Sequence, residues 1–280
     1  MGNRLSDALS TALDSISGGI IVLAKNIHIL IPVYGSLFIS YIILSIAVFN
    51  IIPPEKIVEL SQRYQDYTFQ NPQSLQSSER FQEELMRELM TYFTQDLART
   101  LSILALFALL VFVIYEFTVA GFTASSIEIN RNKRFSLSAF AHSGFIFTFK
   151  MIQLEILMFL IGLSISSPFL IIYYISKNPH IFELVTSVIL FILTIFMTFS
   201  RCILVTQDPG VFETVARGIR FGFKNIVSIA VIFGAWFLMS IPITGMIYLF
   251  PPVILLLPSL MALLTVMFAR LYVLKMGGSI

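Results

Sequence analysis

Six apolar stretches, at residues 27–52, 101–123, 151–175, 182–205, 226–250 and 253–274, each exceed the length a bilayer demands. A hydrocarbon core of about 30 Å takes roughly 20 apolar residues of helix to cross. Lipid offers no hydrogen bonds, so the backbone of such a run must satisfy itself, and a helix is the local way to do so. The expected class is all-α and polytopic, with six transmembrane helices in one membrane domain over residues 1–280. Composition agrees: 57% of the residues are hydrophobic and 12% are charged, against about 25% charged in soluble domains. The net charge of +2 gives no reason to expect a nucleic-acid partner.

Loop charge sets the orientation, because basic residues accumulate on the cytoplasmic side. One side would carry Arg4, Lys25, Arg131, Lys133, Arg134, Lys150, Arg201, Arg217, Arg220, Lys224, Arg270 and Lys275. The other would carry Lys56, Arg63, Arg80, Arg87, Arg99 and Lys177. The reading is a multi-pass plasma-membrane protein with both termini cytoplasmic and no cleavable signal peptide. Residues 53–99 form an extracytoplasmic insertion. Pro53-Pro54 ends the first span, Asn71-Pro72 reads as a turn, and the flanking segments 55–67 and 77–99 are expected to make a helical hairpin. Phe81, Leu85, Leu89 and Phe93 recur every four residues on its second arm. This hairpin is a cap on the outer face, or else a docking place for a protein partner.

Self-similarity organises the rest. A short amphipathic helix, a glycine, a lysine six residues later and a spanning helix recur at Gly19/Lys25, Gly144/Lys150 and Gly218/Lys224. Pro168 and Pro242 sit at matching places beyond two of the lysines, as do Gly35 and Gly234. The spacings agree once the outer loop is treated as an insertion. This predicts three parallel repeats, each an interfacial amphipathic helix plus two spans. The stripes of the interfacial helices are Leu5, Leu9, Ala12, Leu13 and Ile16; Leu137, Phe140, Ala141 and Phe145; and Phe212, Val215, Ala216, Ile219 and Phe223. Lys25, Lys150, Arg217, Arg220 and Lys224 are then placed to meet anionic lipid headgroups.

Three charges fall inside the spans at similar heights in their repeats: Glu116, Arg201 and Arg270. An intramembrane charge usually faces the bundle interior beside a partner. The expectation is an ion-pair cluster with a surplus of positive charge that can hold an anion, weighed against arginines that reach to the interface while Glu116 makes one structural pair. Glu155 is a fourth candidate, at the interface or paired with a neighbouring base. Cys202 is the one cysteine, so neither a disulfide nor a thiolate metal cluster is expected. His28, His142 and His180 are scattered, and no nucleophile, zinc or phosphate-loop motif occurs. No cofactor, metal or catalytic set is expected.

The stretch 205–225, VTQDPGVFETVARGIRFGFKN, resembles a pattern in the six-helix membrane domain of bacterial glycerophosphoryl diester phosphodiesterases and related archaeal membrane proteins. There an acidic-proline turn ends one span, and an amphipathic helix with alanine and basic residues leads into the next. The likeness extends over helices 3–6. It implies a stand-alone membrane domain without the soluble barrel that would carry catalysis. The leading expectation is a non-catalytic membrane module that binds lipid, partner proteins or both. The alternative is a transporter or lipid-handling protein with an anion site of Glu116, Arg201 and Arg270, and an intramembrane enzyme comes third.

Overall fold

The computed structural model describes residues 2–70, 83, 86–88, 90–131, 133–176 and 179–276. Among them there is no strand. The helices are α1 (Gly2–Lys25), α2 (Leu30–Ile51), α3 (Pro54–Gln70), α4 (Leu97–Asn130), α5 (Leu137–Ser176), α6 (Pro179–Gln207), α7 (Val211–Lys224), α8 (Ile226–Leu249) and α9 (Leu257–Met276), with short 3-10 turns at Ile27–Ile29 and Pro251–Leu256. The chain is an all-α, polytopic membrane protein. Seven of these helices are long and apolar enough to cross a bilayer, one more than the sequence reading allows. The additional one is α1, which runs unbroken through Gly18-Gly19 to Lys25 instead of stopping short as an interfacial segment.

By its contacts the described chain divides into two compact units, residues 35–115 and residues 1–34 with 116–280. In the first, α2 is apolar on all sides and leaves Leu37, Phe38, Tyr41, Phe49 and others exposed, as a lipid-facing helix does. Residues 86–88 and 90–95 are helical and lie beside α3. Glu88 on that second arm takes Lys56 (2.7 Å) and Arg63 (3.3 Å), and Glu59 pairs with the same two bases. The expected turn at Asn71-Pro72, with Phe81, Leu85 and Leu89, lies outside the described residues.

Hydrogen bonds to Glu88 and Glu59 hold the Lys56 ammonium above its ordinary range. The bond from Lys56 holds Glu59 below the ordinary glutamate range. Pairing that depends on ionised Glu59 is therefore present at neutral pH and lost as pH falls through its lowered value; the Lys56 share is lost only as pH rises through its raised value. Spin labels at Ser61 and Thr91 should report a narrow distance at neutral pH that broadens on acidification past the ordinary glutamate range. An unchanged distribution there would show that the ion pairs do not hold the arms together.

In the larger unit, α6 and α9 supply most of the interior. Phe196, Phe199, Cys202 and Leu204 of α6 and Met267, Phe268, Leu271 and Tyr272 of α9 are buried. Phe199 and Phe268 meet edge-on at 5.4 Å, and Phe221 and Phe233 extend the aromatic contact to α7 and α8. The buried tyrosine hydroxyl is satisfied by Thr206 at 2.8 Å, as a buried polar tip requires.

The same antiparallel approach occurs three times around this core. The start of α5 runs back along α4, where a Cβ on Gly144 would lie 2.6 Å from the Phe117 ring and one on Gly121 would lie 2.7 Å from the Phe140 carbonyl. The helix α7 runs back along α6, with Gly218 against Ser200 and Gly222 against Phe196. The third pair joins the two ends of the chain. Here α1 runs along α9, with Lys275 donating to Thr11 at 3.1 Å, Arg270 over Gly18, and Gly19 against Met267. Small residues let helix axes approach closely where lipid gives no hydrophobic drive for association. The buried face of α1 is accordingly Ala12, Ser15, Gly18 and Gly19, whereas Leu5, Leu9 and Leu13 of the expected stripe stay exposed. Likewise α7 buries Thr214, Val215, Gly218 and Gly222 and exposes Phe212 and Phe223.

The junctions after the three lysines are not alike. Asn26 and Asn225 follow Lys25 and Lys224, and both break the helix with near-equal backbone angles, φ −123°, ψ 38° and φ −114°, ψ 20°. Each asparagine side chain donates to the carbonyl four residues back, at 3.0 and 2.9 Å, in competition with the backbone ladder. Lys150 is followed by Met151, which cannot do this. The expected short helix and span therefore fuse into the single 40-residue α5.

Candidate anion-binding site

The clearest chemistry lies where α1, the Asn26 junction, the end of α4 and α9 meet. Arg270 reaches out of α9 to α1, donating from Nε to the Asp14 carbonyl and from its guanidinium to the Asp14 carboxylate, both at 3.0 Å. It can lie flat there because Gly18 has no side chain in its way. After α4 ends at Asn130, residues 131 and 133–136 are not helical. The Phe135 amide donates to the Asn26 side-chain oxygen at 3.3 Å, which ties this loop to the junction that breaks α1 from α2. Asn130 is tied in turn to α9 by a bond to the Val266 carbonyl at 3.2 Å.

These ties border an open cavity of about 750 Å3. Lys25, His28, Lys133, Arg134 and Arg270 line it, together with the apolar Ile21, Val22, Ile129 and Phe135. Asp14 is the lining acid, and it is engaged by Arg270. Lys133 also lies 3.5 Å from Glu128, a loose and exposed pair that contributes little. The outcome is a concave site with a surplus of positive charge and apolar side chains in its lining. Arginine gives a planar fork for phosphate or carboxylate oxygens, and lysine gives a mobile point charge.

The residues singled out in sequence are distributed over more than one place. Lys25 and Arg270 belong to the cavity. Lys150 is engaged by Asp208, and Arg217 by Glu213 and Gln207, so neither is an open cation. Arg220 and Lys224 are exposed on α7. Glu116, Arg201 and Arg270 do not form one cluster: Arg270 is matched by Asp14 on α1, and Arg201 by Glu155 on α5. Glu116 is fully buried within the electrostatic reach of Glu155 and Arg201. Lys133, Arg134 and His28 were not singled out as site residues. The run Arg131-Asn132-Lys133-Arg134 signals them, since so dense a basic run in a short loop is an anion-facing feature, although the same run also serves the orientation rule. Cys202 is buried in the α6 core, in keeping with a small packing side chain. No group of three or more histidine, cysteine or acidic side chains is placed to hold a metal ion among the described residues.

Comparison with known protein families, with curated proteins and with solved structures finds no match to this chain.

Proposed function

We propose that this protein is a non-catalytic integral membrane module that binds anionic lipid headgroups in the cavity between α1, the 131–136 loop and α9. The observation that carries this reading is the lining: Lys25, Lys133, Arg134 and Arg270 with one acid already engaged, among apolar side chains. A phosphate with an acyl chain attached suits both kinds of side chain. Polybasic clusters at a membrane surface attract anionic lipid with about 1 kcal/mol per lysine or arginine.

In this reading each glycine-bearing helix lies on the last span of the preceding repeat, with α1 on α9 as the third such contact. Support for six crossings comes from register: bonds and close approaches between α1 and α9 run from Lys275 to Met267, and Tyr34 on α2 bonds Ser259 at 2.6 Å nearer the other end of α9. On this view α1 lies in one leaflet and the six spans of the sequence reading make the crossings. Both termini and the cavity then face the cytoplasm of a plasma membrane, and the hairpin of residues 53–99 lies outside, where it can meet a protein partner. The family resemblance is in keeping with a membrane domain of this kind. A transporter with an anion held by Glu116, Arg201 and Arg270 is less favoured, because each arginine already has its own acid.

Native mass spectrometry of the detergent-extracted protein tests the proposal. Phosphatidylglycerol should be retained over phosphatidylethanolamine, and Lys133→Gln with Arg134→Gln should weaken that retention about 30-fold, the equivalent of about 2 kcal/mol. Equal retention of the two lipids, or no change in the double variant, would overturn it.

A further inference from the structure

The interior holds a second polar centre, away from the cavity. Glu116 on α4 is fully buried, and neither of its carboxylate oxygens has a hydrogen-bond partner among the described residues. The charges that act on it come from the two neighbouring helices: Glu155 on α5, which adds repulsion, and Arg201 on α6, which attracts. Arg201 is itself engaged by Glu155. The centre therefore has two carboxyl groups for one guanidinium, where the sequence pattern had pointed to two bases and one acid.

A buried, unpaired carboxylate is among the most costly groups a fold can contain. In a membrane interior such a group marks a path or site for ions or protons by default. Three features make this centre a site and not a leftover charge. The unpartnered oxygens sit on one helix and the ion pair spans the next two. Arg201 pairs with Glu155 and also acts electrostatically on Glu116. Leu154, Phe199 and Cys202, close to Glu155 and Arg201 in the chain, are apolar and buried.

We propose that Glu116, Glu155 and Arg201 form an intramembrane cation site that takes up one positive charge from the aqueous phase, a proton or an alkali cation, at the Glu116 carboxylate. In the proton case an O–H bond forms at Glu116 Oε1 or Oε2 and the proton comes from, and returns to, water. In the alkali case the same two oxygens are ligands. Uptake balances the second carboxylate, and release leaves Glu116 and Glu155 competing for Arg201, so the guanidinium can shift from α5 toward α4. Because α4, α5 and α6 each contribute one member, occupancy biases how these helices pack. The inference does not depend on the headgroup cavity, which shares none of the three residues.

Infrared difference spectroscopy of the purified protein in nanodiscs, compared with Glu116→Gln, tests it. If a proton is bound, the native protein shows a carboxylic-acid C=O band at neutral pH that is missing in Glu116→Gln and disappears on alkalinisation. If an alkali cation is bound, that band is absent, and exchange of choline for sodium or potassium shifts the carboxylate bands of the native protein but not of the variant. Glu116→Gln, a neutral isostere, should keep the native unfolding midpoint. Should it fail to accumulate, the native spectra decide alone. A native protein with no protonated carboxyl at neutral pH and no response to sodium or potassium overturns the proposal.

Discussion

The double variant Glu116→Gln with Glu155→Gln is expected to lose about 1–3 kcal/mol of stability, because it takes from the part-buried Arg201 both the acid it pairs with and the acid whose field it lies in. Arg201 is the charge at stake, with its side chain only 19% exposed and Glu155 at 26%. Neither single change should approach this. Glu116→Gln leaves the Arg201–Glu155 pair intact and removes the unpartnered carboxylate, so its cost should stay below about 1 kcal/mol. Glu155→Gln leaves Glu116 within reach of Arg201, and a shift of the guanidinium toward α4 restores one acid for one base. That variant should therefore fall between the other two, and it should also lose the uptake of an added cation, since the charges already balance. Unfolding in mixed micelles of increasing SDS content gives the four corners of this cycle. Strong non-additivity is the expected result, because the two acids serve one arginine. Two small and additive losses would mean that Arg201 is held by other contacts and that the triad is not a functional unit.

The class of this protein was legible from residue patterns because bilayer thickness acts on every span in the same way. Five of the expected spans correspond to α2, α4, α5, α6 and α8, and the last begins only at Leu257 because Pro251–Leu256 winds as a 3-10 turn. The glycines at positions 19, 144 and 218 stood out by spacing, and in each case a helix axis comes close enough that a Cβ would collide. Partner choice among the charges was not legible. Sequence height placed Arg201 and Arg270 level with Glu116, but height does not say which way a side chain points around its helix. Asp14 and Glu155 lie on helices α1 and α5, whose faces depend on which glycine edge packs inward. The long apolar stripe of α1 misled for a related reason. In water it would mark the buried face, whereas in lipid Leu5, Leu9 and Leu13 can stay outside while Ala12, Ser15, Gly18 and Gly19 make the contact. The break after Lys25 and Lys224 and its absence after Lys150 was readable in principle, since one residue, asparagine or methionine, decides it.

Gly218→Leu should be the most damaging single change on α7. A Cβ at this position would lie 3.0 Å from the Ser200 amide nitrogen and 3.1 Å from the Phe196 carbonyl oxygen. Both are backbone atoms of α6, so no rotamer change can relieve the contact and the two helices must part. Overpacking of this kind costs about 1–3 kcal/mol for small additions, and a leucine should exceed the upper end of that range. Gly218→Ala should still cost about 1–2 kcal/mol, because the clash outweighs the gain of up to about 1 kcal/mol that alanine brings to a helix interior. Gly144→Ala should cost less, since its neighbour is the Phe117 ring, 2.6 Å away at the nearest atom, and a side chain can turn aside. The contrast is Gly234 on α8, where nothing lies within 4 Å. Gly234→Ala should leave stability unchanged or raise it by up to about 1 kcal/mol. Unfolding midpoints in mixed micelles should therefore fall in the order Gly234→Ala, Gly144→Ala, Gly218→Ala, Gly218→Leu. If Gly218→Ala melted with the unaltered protein, α7 would not pack on α6 through this face. The antiparallel approach that α7 shares with α1 and the start of α5 would then lose its physical basis, because the same absence of a side chain is what brings all three onto their partner helices.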